Sequence, residues 1–206
     1  VTTANLSALR ALGWNGTPPP CHVEFDEPVG EMPERFAAIA PGASRRAPRG
    51  RRRRWPHWEA LCKLLHDRDG LEMVVLGEED DAEEWMSDAS RPWLHNLCGL
   101  TSIRGAAGVI ARCERLYAID NGLGWIGAAL AKPVVSLFGP TDEAAGIPDG
   151  VAVTAMASGR ACRPCEAAAR PRRCRMARCM EEIRPQAVAG VRFEKAGKSE
   201  GERLAG

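Results

Sequence analysis

The feature that most narrows the folds open to this chain is a regular exchange of two periods. Phe36-Ala37-Ala38-Ile39-Ala40, Met73-Val74-Val75-Leu76, Leu116 to Ile119 and Pro133 to Phe138 are short and almost wholly apolar, as strands covered on both faces are. Between them, Trp58, Leu61, Cys62 and Leu65 stand at i, i+3, i+4 and i+7, and Ile103, Ala106, Ala107 and Ile110 repeat that helical spacing. Strands joined through helices cannot pair as hairpins; they form crossovers and hence a parallel sheet. The expected class is α/β, a Rossmann-like parallel sheet with helices on both faces, and Val151 to Thr154 offers a fifth strand.

Local signals place the helix starts. Pro56 suits a first helical turn because its missing N–H has no partner there anyway. The acidic run Glu78 to Glu84 suits the positive end of a helix dipole. Thr101 or Ser102 is positioned to cap the helix carrying Ile103, and Asp120-Asn121-Gly122 turns into a helix running through Leu130.

A chain of 206 residues that is 45% hydrophobic can bury one domain well. Residues 1–35, with Gly13, Gly16 and Pro18-Pro19-Pro20 and no sustained period, read as an interdomain linker. Residues 36–190 form the domain, and 191–206 a disordered tail. The net charge of +1 favours neither a nucleic-acid binder nor an acidic solvating protein. The longest apolar stretch, Ile126 to Phe138, is broken by Lys132 and Pro133 and falls short of the roughly twenty residues of a membrane span. The start, Val1-Thr2-Thr3-Ala4-Asn5, carries no signal-peptide pattern. A cytoplasmic location is expected, and the missing initiator Met hints at a fragment.

In open parallel sheets ligands bind beyond the carboxyl ends of the strands, so the four loops there carry the functional reading. The first, Gly42 to Trp55, holds Arg45, Arg46, Arg49 and Arg51 to Arg54. Arginine forks pair with phosphate, although a solvated basic run, or a nucleic-acid or localisation patch, fits the composition equally. The second, Gly77-Glu78-Glu79-Asp80, could accept hydrogen bonds from a ribose diol or be a charged surface helix. The third, Asp120-Asn121-Gly122-Leu123-Gly124, allows close approach of a diphosphate to a helix N-terminus, or is an ordinary Asp cap with a tight turn. The fourth, Phe138-Gly139-Pro140-Thr141-Asp142, offers a hydroxyl and backbone donors, or is a Gly-Pro turn. Cys162, Cys165, Cys174 and Cys179 are spaced for one tetrahedral metal, a zinc or iron–sulfur site, or are free or redox-paired thiols. Cys21, Cys62, Cys98 and Cys113 are scattered reduced thiols.

Taken in order, Ala40-Pro41-Gly42-Ala43, Arg53-Arg54-Trp55-Pro56 with Trp58, Asp120 to Gly124, Ala128-Ala129-Leu130 and Pro133 through Asp142 resemble the C-terminal domain of glycosyltransferase family 9. Those enzymes transfer heptose from ADP-heptose onto the lipopolysaccharide inner core. Cys162-Arg163-Pro164-Cys165, Cys174, Cys179-Met180, Ile183, Pro185 and Val188 are similar to the cysteine-bearing tail of many members. The resemblance spans roughly residues 36–190.

It implies the C-terminal half of an inverting, metal-independent GT-B glycosyltransferase, with an ADP-sugar as donor substrate and no cofactor; zinc at the four cysteines remains the alternative. By matched position, Ser44 and Arg53 would face the diphosphate, Glu79 the nucleoside and Thr101 the adenine. Asp120, Asn121 and Gly122 would line sugar and phosphates, and Thr141 and Asp142 would close the pocket. Arg53 stands where the family usually has Lys, Gly127 where it more often has Ala, and Trp125 where it normally has His, so that Trp125 can only stack against the donor. The resemblance further implies a catalytic base in an acceptor-binding domain that would precede Val1, a lipopolysaccharide core or lipid A acceptor, and peripheral contact with the inner membrane. No catalytic residue is assigned within the chain. The rivals are a zinc-stabilised nucleic-acid-binding module using Arg45 to Arg54 and Arg170 to Arg178, and a binding remnant without activity. Against nucleic acid, aromatic residues are all but absent from both basic runs.

Overall fold

The computed structural model describes residues 3–17, 22–28, 30–43, 50–147, 153–165 and 177–193. Six strands, β1 (Phe36–Ala40), β2 (Glu72–Val75), β3 (Leu94–Asn96), β4 (Arg115–Ile119), β5 (Val134–Phe138) and β6 (Val153–Ala157), form one sheet in the order β3-β2-β1-β4-β5-β6. Every neighbouring pair is parallel. The chain starts at the centre with β1, winds outward through β2 and β3, then returns across β1 to β4. That return is the point where the loops of β1 and β4 diverge and leave a crevice.

Alternation within the strands sends side chains to two separate cores. Ala37, Ile39, Met73, Val75, Tyr117, Ile119, Val135 and Leu137 face one side, where α2 (Trp58–Asp69), α6 (Arg178–Glu181) and α7 (Pro185–Ala189) cover them. Phe36, Ala38, Ala40, Val74, Leu116, Ala118 and Val134 face the other, under α3 (Ile103–Arg112) and α4 (Gly122–Ala129). The doubly covered sheet expected from the two periods is therefore the observed one.

Several local expectations differ from the structure, each for a physical reason. The helix after the arginine loop begins at Trp58, with His57 at its cap, and Pro56 lies outside it. Trp55 decides this. Its indole is buried, donates to the Ile183 carbonyl at 2.9 Å and packs edge-on against Trp58, leaving Pro56-His57 in a turn ahead of the helix. The acidic run makes no α-helix; it folds into two 3-10 turns, Glu79–Asp81 and Glu84–Ser87. Asp81 closes the first by accepting from the Glu78 N–H at 3.1 Å, a side-chain bond that competes with helix. β3 is short, half-buried and at the sheet edge, and lacks the apolar run that marks the central strands.

Within residues 1–35 there is a helix and a stretch anchored to α3. Thr3–Ala11 form α1, and Arg104 of α3 holds the stretch after it through Glu24 at 2.6 Å and Asp26 at 2.9 Å. Met32 packs on the α3–α4 core. Of the tail over 191–206, residues 194–206 lie outside the described residues, as do Val151 and Ala152 at the start of the expected fifth strand.

Candidate functional site

A cavity of about 480 Å³ opens at the carboxyl ends of β1, β2 and β4 and beneath the start of α3. Its apolar wall comes from Leu76, Ala106, Leu123 and Ile126, and its polar rim from Glu78, Asp81, Thr101, Ser102 and Asn121. An apolar slot with a few convergent polar groups is the usual build of a small-molecule site.

Two helix N-termini point into it. Ser102 caps α3, its Oγ accepting from Gly105 N at 3.0 Å. Asn121, and not Asp120, caps α4, its Oδ1 accepting from Gly124 N at 3.0 Å. The same amide donates from Nδ2 to the carbonyls of Ala40 and Gly42, each at 3.0 Å. Asn121 therefore staples the end of β1 to the start of α4. It shapes the crevice with its side chain already engaged, leaving the positive end of α4 at Gly122 and Leu123 for an anion.

The described end of the arginine loop reaches the residues around this crevice. Gly50–Arg53 forms a 3-10 turn. From it, Arg53 Nη1 reaches Asp120 Oδ2 at 3.6 Å and the Asp120 carbonyl at 3.3 Å, while Arg54 Nη2 approaches Asp81 Oδ1 at 3.8 Å. Two cations are thus anchored over the β1 loop, one to the β4 loop and one to the β2 loop. Gly42 is what lets Asp81 come in: a Cβ there would lie 2.1 Å from Asp81 Oδ2. Close by, burial first, and the Asp81 and Glu83 carboxylates next, push the Cys98 thiol up to about 11.

Among the expected site residues, Thr101, Asn121 and Gly122 line the cavity, and Arg53 and Asp120 pair beside it. Glu79 sits against Gly99 instead of lining the cavity, which Glu78 and Asp81 do. Trp125 lies on the side of α4 that meets β5, its ring tilted 51° against Phe138 at 6.4 Å. Thr141 is 9% exposed, and Asp142 caps α5 (Glu143–Gly146) by accepting from Ala144 N at 3.0 Å. Ser44 lies outside the described residues. Cys162 is exposed, Cys165 half-buried and Cys179 buried, while Cys174 lies outside the described residues. Among the described residues, no three His, Cys, Asp or Glu side chains converge to hold a metal.

Sequence reading missed Asp81 and Arg163, and left Arg54 undistinguished among the arginines of the first loop. Arg163 lies inside the Cys-Arg-Pro-Cys run and points into the fold, where its guanidinium meets the β5 loop. The only signal for Asp81 is the pair of glycines, Gly42 and Gly77, that clear space for it.

A parallel sheet in the order 3-2-1-4-5-6, with an apolar cavity, two helix N-termini and paired arginines at its switch point, defines a Rossmann-like domain. The model of glycosyltransferase family 9 (heptosyltransferase) matches residues 21–175, and the chain belongs to that family. Lipopolysaccharide heptosyltransferase 2 of Escherichia coli K12 is 34% identical over 100 residues, covering 45% of this chain and 28% of that protein. The solved structure of E. coli ADP-heptose LPS heptosyltransferase II superposes with a TM-score of 0.58 at 25% identity, over 76% of this chain and 44% of that one. The dodecameric iron-containing glycosyltransferase TibC of enterotoxigenic E. coli shares the fold, with a TM-score of 0.62 at 13% identity, over 82% of this chain and 48% of that one. The chain thus spans less than half the length of the relatives it matches. The nucleic-acid alternative finds no support in these matches. In keeping with this, Arg53 and Arg54 of the basic run are engaged by carboxylates. Among the described residues no helix is long and apolar enough to cross a membrane.

Proposed function

We propose that this chain is the donor-binding half of a cytoplasmic glycosyltransferase that moves a heptose or a related sugar from an ADP-sugar onto a lipopolysaccharide core acceptor at the inner membrane. The observation that carries the reading is the crevice between β1 and β4. There the N-terminus of α4 and the Arg53–Asp120 pair meet an apolar cavity of about 480 Å³, a size suited to a nucleoside. The base would slot against Leu123 and Ile126, with Thr101 at its edge. Glu78 and Asp81, which line the cavity, would accept from the ribose hydroxyls, and Thr141 and Asp142 would border the phosphate end.

In the reaction, an acceptor hydroxyl gives its proton to a carboxylate base supplied by the acceptor-binding half. Its oxygen forms a bond to the anomeric carbon, and the bond from that carbon to the diphosphate oxygen breaks. Negative charge gathers on the departing ADP. Arg53, Arg54 and the end of α4 stand preorganised to stabilise it. Because Arg53 already holds Asp120, it meets phosphate by sharing or exchanging that partner, at little cost in reordering.

Calorimetric titration with ADP, UDP and GDP, on the unmodified chain and on Arg53→Ala, tests this. We expect ADP to bind preferentially and to weaken by about 10- to 100-fold in the variant, as for a lost charged hydrogen bond. Absence of nucleotide binding, or an affinity untouched by the substitution, sinks the reading.

A further inference from the structure

The loop after β5 contains a hydroxyl that the fold does not use. Thr141 is buried, and its Oγ1 has no hydrogen-bond partner among the described residues. A buried hydroxyl left unpaired is costly, so a fold that keeps one invites a partner from outside. The loop's backbone, by contrast, is held on several sides. Arg163, its side chain 8% exposed, donates from Nε to the Gly139 carbonyl at 2.6 Å, from Nη1 to the Ser158 carbonyl at 3.2 Å and from Nη2 to the Thr141 carbonyl at 3.4 Å. Nη2 also pairs with Glu143 at 2.8 Å, and Cys165 N donates to the Pro140 carbonyl at 3.0 Å. Burial pushes the Glu143 carboxyl up, but its backbone hydrogen bond and the Arg163 guanidinium outweigh that and hold it below the ordinary range. The loop leaves the sheet beside Asp120, whose N–H donates to the Leu137 carbonyl at 3.2 Å.

We propose that Arg163 is a positioning residue of the donor site: by clamping the carbonyls on both sides of Pro140, it fixes the Thr141 hydroxyl to donate to a phosphate oxygen of a bound nucleoside diphosphate. The inference rests on the donor-binding reading above. It also gives the Cys162–Cys165 segment a role that needs no metal, namely to deliver a buried guanidinium under the loop. A merely structural arginine would predict something different. Its loss would loosen the fold without regard to what Thr141 carries.

The test is a double-mutant cycle on the 206-residue chain, with ADP binding followed by calorimetry and folding by thermal melting. Thr141→Val removes the hydroxyl and keeps the shape. It is expected to melt no lower than the unmodified chain and to bind ADP about 10- to 100-fold more weakly, the range for a hydrogen bond to a charged group. Thr141→Ser restores binding. Arg163→Gln weakens ADP by a similar factor, and the double variant is no weaker than the worse single one, because both act through one contact. Should Arg163→Gln fail to fold, Glu143→Gln, which loosens the same guanidinium, takes its place in the cycle. ADP binding by Thr141→Val at the unmodified affinity, or losses that add in the double variant, overturns the inference while leaving the donor-binding reading intact. Failure of the unmodified chain to bind any nucleotide overturns both.

Discussion

Asn121→Asp separates two roles that one side chain performs. As a helix cap, the Asn121 Oδ1 accepts from Gly124 N, and a carboxylate would do this as well or slightly better, facing the positive end of α4. A cap alone therefore predicts a variant unchanged, or stabilised by a few tenths of a kcal/mol. As a staple, Nδ2 donates to the carbonyls of Ala40 and Gly42 at 3.0 Å each. The substitution removes both bonds and points a carboxylate oxygen at two carbonyl oxygens. Two lost hydrogen bonds come to about 1–3 kcal/mol, and the repulsion and desolvation of a half-buried charge raise the total to about 3 kcal/mol. For a chain of this size that is a fall of roughly 6–12 °C in melting temperature. The loss should shrink in acid, because a protonated carboxyl regains one donor. Urea denaturation at pH 7 and pH 4, with the midpoint as readout, decides between the roles. A variant as stable as the parent at pH 7 refutes the staple and, with it, the argument that this side chain joins the β1 and β4 loops.

Gly127→Ala is expected to destabilise, although Ala is the better helix former: a Cβ would lie 2.5 Å from Leu116 Cδ2 and 3.2 Å from Val134 Cγ2. Overpacking of this kind costs about 1–3 kcal/mol, and an unchanged urea midpoint would show that α4 can ride up from the sheet without cost. Asp69 bonds to Arg68 at 2.7 Å and to Arg115, and the Arg68 bond in particular holds its carboxyl below the ordinary 3.8. Its contribution is present in full above pH 3.8 and fades as the pH falls through the lower folded value, so Asp69→Asn should cost about 2 kcal/mol at pH 7 and progressively less below pH 3.8. A gap in urea midpoint that stays constant from pH 7 to pH 3 would count against this.

The central strands were legible because each must be apolar on both faces. Phe36–Ala40 is bounded as the sequence predicts, β4 and β5 differ by one residue at one end, and β2 is shifted by one residue at both ends. The spacing of Leu61, Cys62 and Leu65 marks the buried face of α2 correctly, and the Ser102 and Asn121 caps sit within the turns expected to hold them. What escaped were elements whose shape is decided by a distant partner. Pro56 lost its place in the helix to Trp55, which is drawn toward Ile183, 128 residues away in sequence. The acidic run lost its helix to a single carboxylate folding back on its own backbone. β3 is held at the edge through β2 alone, and no pattern of its own announces it.

The same distinction explains why the site's location was readable and its contacts were not. Location follows from topology: with β1 and β4 adjacent at the reversal of strand order, the loops after them diverge and leave a crevice, whatever their composition. Contacts follow from pairs far apart in sequence. Arg53 meets Asp120 across 67 residues, and Asn121 meets Gly42 across 79. Nothing in the local run of seven arginines singles out Arg53 and Arg54 from their neighbours. The strand order does, because it sets the β4 loop on one side of β1 and the β2 loop on the other, each bringing one carboxylate, Asp120 and Asp81, within reach of one guanidinium. A charge run that composition alone would assign to solvent thereby becomes a pair of oriented cations at the mouth of a cavity, and their orientation is a property of the sheet before it is a property of the loop.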